Sequence, residues 1–175
     1  MSEVLRMTTE YVESEDRLRV SCQMRTGETA VLWVTQRLFL RVLPHLLEWL
    51  DKHTPGLADA QASRARADAV RGFAQQADRA QHAPQEPVAP QAATQIWLVH
   101  TVDLTPRDGE LGLVFRPLSR DAAAASFALQ PQALRVWLGM LAEQFSRAGW
   151  PMEAWPAWLV PGAARPAEET GAVVH

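Results

Sequence analysis

Lysine is nearly absent: Lys52 stands alone against sixteen arginines. With abundant alanine and proline, that bias reads as a GC-rich bacterial coding sequence rather than as chemistry. Cysteine is rarer than in most chains of this size, and the single Cys22 excludes an internal disulfide framework and a cysteine-based metal cluster. No long apolar run exists either. The longest, around residues 38–50, is broken by Arg41, Pro44, His45 and Glu48 and is too short to span a bilayer. The polar, acidic opening "MSEVLRMTTEYVESED" lacks the basic and apolar regions of a secretory signal, so the expected location is cytoplasmic. Charge of one sign is also missing. A net charge of −3 over 175 residues creates no global field towards nucleic acid or an anionic membrane.

Motifs of catalysis are lacking too. The chain has no G-x-S-x-G, no glycine-rich phosphate loop and no H-E-x-x-H, and its five histidines are scattered. Neither a cofactor nor a metal is expected, and an enzyme is disfavoured.

What is present is periodicity. Residues 17–25 alternate, with Leu18, Val20, Cys22 and Met24 on one face and Arg17, Arg19, Ser21, Gln23 and Arg25 on the other, as in a half-buried strand. A "TGE" turn and "TAVLWV" follow. "QIWLVHTVDL", a "PRDG" turn, "ELGLVFRP" and "ASFAL" repeat the theme later, with His100 placed on one face with Ile96, Leu98, Val102 and Leu104. Each triplet of strands runs into an amphipathic helix. Leu38, Phe39, Val42, Leu43, Leu46, Leu47 and Leu50 line the first; Leu134, Trp137, Leu138, Leu141 and Phe145 line the second. "LRVLPHLL" (40–47) and "LRVWLGML" (134–141) match at Leu-Arg-Val and at their last leucine. The expected fold class is therefore α+β: a pseudo-twofold repeat of two β-β-β-α units forming an antiparallel sheet packed against two helices. The first unit is placed at 1–54 and the second at 95–160. Between them, 55–94 reads as a loosely attached Ala/Arg-rich helix and a solvated Pro-rich linker, and 161–175 as a flexible tail.

Three tryptophans crowd "GWPMEAWPAWLVP" (149–161). Gly149 is placed to end the second helix, and Trp150 to fold back onto its last turn. Seven tryptophans in all, with many arginines, is the composition of interface anchors. The favoured function is a non-catalytic adaptor, accessory subunit or assembly factor that binds another protein or a second copy of itself. Trp150, Trp155, Trp158, Arg64 and Arg71 are its candidate contacts. One alternative is a nucleic-acid-binding accessory protein using Arg17, Arg19 and Arg25 on the polar strand face. A second is a small-ligand binder or enzyme whose pocket lies under the tryptophan strap.

Overall fold

The computed structural model describes residues 2–60, 63–119 and 124–160, so the expected tail lies outside the described residues. In chain order they form strands β1 (Ser2–Val12), β2 (Arg17–Met24) and β3 (Thr29–Val34), helices α1 (Gln36–Lys52), α2 (Leu57–Ala60) and α3 (Arg64–Gln81), strands β4 (Ala93–Leu98), β5 (Thr101–Arg107), β6 (Glu110–Arg116) and β7 (Ala125–Leu129), and helix α4 (Pro131–Arg147). The class is α+β. The strands make one sheet in the order β4-β3-β2-β1-β7-β6-β5. It is mixed rather than antiparallel throughout: β1–β2, β2–β3, β5–β6 and β6–β7 are antiparallel, but β1 meets β7 and β3 meets β4 in parallel.

The parallel joints follow from what the two longest apolar-alternating segments do. β4 and β5 sit at opposite ends of the strand order, yet only Val99 and His100 separate them in the chain. The Val99 N–H donates to Trp33 O on β3, and the His100 N–H donates to Arg116 O on β6, both at 2.8 Å. One extended segment thus leaves one partner and takes up another, and the sheet folds back on itself at this corner. The change of partner costs the alternation its phase. Val99 is buried, His100 and Thr101 are exposed, and the next inward residue is Val102. Ile96 and Leu98 therefore face outwards, while Val102 and Leu104 face the core, so the single face expected for 96–104 is split. β1 slips at the corresponding place. Its register shifts between Val4 and Arg6, Val4 and Met7 pack on the core, and Leu5 between them is 61% exposed.

Helix α1 is capped by Thr35, whose hydroxyl accepts from the Leu38 N–H at 3.2 Å, and it runs unbroken through Pro44. α4 starts with Pro131 in its first turn. It ends in a Schellman motif: Gly149 takes φ +65°, its N–H reaches Ser146 O, and the Trp150 N–H reaches Phe145 O. Both helices have 17 residues. Their buried positions correspond at a shift of 95, which carries Phe39, Leu43, Leu46 and Leu50 onto Leu134, Leu138, Leu141 and Phe145. The same shift carries Val4 and Met7 onto Val99 and Val102, and Ala30 and Leu32 onto Ala125 and Phe127. The Leu-Arg-Val match is a shift of 94 and is out of phase by one, since it sets half-buried Leu40 against fully buried Leu134. All these side chains belong to one core.

The insert is attached more firmly than its sparse apolar residues suggest. Of the two large apolar side chains on α3, Val70 packs on Leu57 and Ala67, but Phe73 is 77% exposed. Polar contacts hold α3 instead. Arg71 donates to both carboxylate oxygens of Asp51 on α1 at 2.9 and 2.7 Å, and Arg79 meets Glu143 of α4 at 2.6 Å. Arg135 of α4, only 3% exposed, pairs with Asp78 of α3 and donates to Thr54 Oγ1 at 3.1 Å. The linker is not wholly solvated either. The Val88 N–H donates to Thr8 Oγ1 at 2.8 Å, Glu86 O accepts from Arg6 at 2.9 Å, and Val88 is buried. It crosses the outer side of β1–β3, where outward-pointing Ser21 and Val31 are also buried.

Candidate interaction surface

The tryptophan strap closes the core. The Trp150 ring meets Phe145 edge-on at 4.8 Å and Tyr11 at 5.2 Å, and its indole N–H donates to Asp16 Oδ1 at 2.9 Å. Trp155 stacks on Phe39 at 5.8 Å and meets Phe145 edge-on at 5.0 Å. Both are buried, which removes them from the surface proposed for partner contact. Trp158 is half-buried and packs towards the insert, its Cβ lying 3.7 Å from where a side chain on Gly72 of α3 would begin. The strap thus touches the core on one side and α3 on the other. Arg71 is likewise engaged within the chain, by Asp51 and by Asp68 at 3.0 Å; its hydrogen bond to Asp51 is the chief cause pushing its pKa above the usual arginine value. Arg64 is exposed at the start of α3.

The arginines of the polar strand face stand opposite carboxylates. Arg19 faces Glu10 across the β1–β2 ladder, donates to it from Nε at 2.8 Å, and lies 5.9 Å over the Trp33 ring. Arg25 makes a two-pronged pair with Glu3 at 2.9 and 2.8 Å, whose hydrogen bonds and charge hold the Glu3 carboxyl below its usual range. Arg17 is 3.8 Å from Glu15. A phosphate would have to displace a glutamate at each position, so this row carries little excess charge for counterion release. The acidic run "ESED" (13–16) is not simply a solvated charge run. Asp16 instead takes a left-handed conformation, φ +48°, and accepts from both Trp150 and the Tyr11 hydroxyl.

His100 does not reach the strap. It opens on a depression of about 600 Å³ walled by Thr101, Asp103, Arg116 and Leu118, where Arg116 and Asp103 pair with each other at 2.6 Å. Among the described residues, no cluster of three or more His, Cys, Asp or Glu side chains is placed to hold a metal, and no helix is long and apolar enough to cross a membrane.

Compared with known proteins, the chain matches no family model, no curated protein and no solved structure. Its surface is therefore the only guide to its work. Scattered exposed apolar residues are ordinary; adjacent ones on an open strand are not. On the outer side of β4, Ile96 is 63% exposed and Leu98 45% exposed, with half-buried Trp33 directly opposite Leu98 on β3. The linker that covers β1–β3 meets β3 through its short 3-10 turn at Pro90–Ala92. From Ala93 to Val99 the strand carries no charge and no proline, the two devices that most often blunt an edge. No described residue pairs with the far edge of β4. Sequence reasoning missed this surface because unbroken alternation through residue 104 places Ile96 and Leu98 inside.

Proposed function

We propose that this chain is a non-catalytic accessory or adaptor protein that works through protein contact on the solvent side of β4. The observation that carries the reading is the exposed Ile96–Leu98 pair on an uncharged strand whose far edge no described residue pairs with. Such a strand offers unpaired backbone groups for affinity and alternate side chains for selectivity, which is how β-strand addition works. The contact differs from the one expected from sequence, because Trp150 and Trp155 serve the core and Arg71 serves α3.

The test is capture from a lysate of the cells that naturally make the protein. Wild type is compared with the Ile96→Lys/Leu98→Lys double variant and with Phe73→Lys, which alters a still more exposed apolar residue elsewhere. All three are first shown to melt alike. Partner recovery should fail only for the β4 variant. Equal recovery by all three would place the working surface elsewhere.

A further inference from the structure

We infer that α2 and α3 form a lid that swings off α1 and α4 as a unit while the sheet and its core stay folded, uncovering Arg135, Gly139 and the outer side of Trp158. Apolar packing is divided at this boundary. Among the described residues, Leu57 and Ala67, with Val70 against them, form a cluster of their own, separate from the core that α1 and α4 share. Ion pairs cross the gap instead: Arg71 with Asp51, Asp78 with Arg135, and Arg79 with Glu143. Gly72, Gln75 and Asp78 follow one another at three-residue spacing along α3, so one face of the helix reaches Trp158, Gly139 and Arg135 in turn.

Two features set the opening of this lid below the free energy of the whole fold. The first is what the closed form gives up. Arg135 is 3% exposed, and Gln75 is buried against Gly139 with its Oε1 lacking a hydrogen-bond partner. Opening returns these groups to water, and the hydration regained offsets much of the pairing lost. The buried residues of α3 are Ala67 and Gln75, so apolar surface adds little to the closed form. The second feature is the attachment. Gly56 turns the chain with φ +74° between α1 and α2, and past Gln81 the chain is neither helix nor strand until the 3-10 turn at Pro90–Ala92. Every strand of the sheet lies outside residues 53–92, so its ladders survive with the lid open. Such a unit opens independently of global unfolding.

The test is native-state hydrogen exchange on the full chain. An undocked helix of 18 residues is marginal in water, so the α3 amides should exchange together through the open form. They should exchange faster than the inner amides of α1 and α4, and with a shallower urea dependence, because less surface is exposed than in global unfolding. Arg71→Ala removes one ion pair across the gap and should speed α3 exchange by about tenfold, leaving α4 unchanged. A covalent lock gives the converse. The Trp158 Cβ lies 3.7 Å from where a Cβ on residue 72 would stand, within the roughly 3.5–4.5 Å of a disulfide. Gly72→Cys/Trp158→Cys should therefore cross-link on mild oxidation, with the fully buried Cys22 not competing. Oxidation of that variant should slow α3 exchange towards that of α4, and reduction should restore it. Wild-type α3 amides that share the rate and urea slope of α4 overturn the inference. So does an Arg71→Ala effect spread equally over α4, or a cysteine pair that does not cross-link. Exchange of α3 unchanged by the lock would mean that the helix unwinds in place, and the lid falls with it.

Discussion

At the scale of single residues, burial decides chemistry more than residue type does. Cys22 lies fully buried on β2, and burial pushes its thiol up to about 12. A thiol-specific reagent at mildly alkaline pH should leave the folded protein unmodified and label it at once in denaturant; labelling of the native state would show that β2 opens. The sign of the linked stability follows. The unfolded thiol ionises from about pH 8.5, the folded one only near pH 12. The Cys22 contribution is whole below the unfolded value and is lost as pH rises towards the folded one, at about 1.4 kcal/mol per unit for one proton. The strap tryptophans differ by the same criterion. Trp155→Ala removes an indole stacked on Phe39 and edge-on to Phe145 and should cost about 3–5 kcal/mol in urea unfolding. Trp158→Ala removes a half-buried ring and should cost less than half as much; equal losses would mean that Trp158 is core as well.

At the scale of elements, α3 shows polar contacts doing the docking usually left to an apolar stripe. The Arg135–Asp78 pair is the most deeply buried of its ion pairs, and Thr54 supplies a further acceptor. Taking one charge away strands the other, so Asp78→Ala should destabilise the protein by about 3–5 kcal/mol. The double variant Arg135→Met/Asp78→Leu replaces both charges by apolar groups and should recover most of that loss. A double variant no more stable than the single one would mean that the pair holds α3 by geometry that apolar contact does not reproduce. The helix was legible in the sequence from its alanine and arginine content. Its seat was not, because the partners Asp51, Arg135 and Glu143 lie on two other helices.

At the scale of the whole molecule, two segments tie the halves together. β1 pairs with β2 of its own half and with β7 of the other; β4–β5 pairs with β6 of its own half and with β3 of the other. Neither half has its full complement of strand partners without the other, and α1 and α4 share one core. Urea unfolding of the full chain should therefore be a single transition, the same by tryptophan fluorescence and by circular dichroism. The fragments 1–54 and 95–160 should each be unfolded alone. A fragment with a cooperative transition of its own would show that the exchanged strands are dispensable.

The sequence by itself determined the α+β class, the amphipathic faces of α1 and α4, the inward face of β2 and the end of α4 at Gly149. These rest on spacing within one element, where 3.6-residue or two-residue periodicity and a local cap act on neighbours in the chain. Tertiary structure alone decided which strands run parallel, where the long strands change partner, which carboxylate each arginine meets and which apolar residues are left outside. Those depend on which distant segment arrives on each edge. At Val99–His100 a second partner strand shifted the pleat by one residue, and that turned Ile96 and Leu98 from expected core into surface.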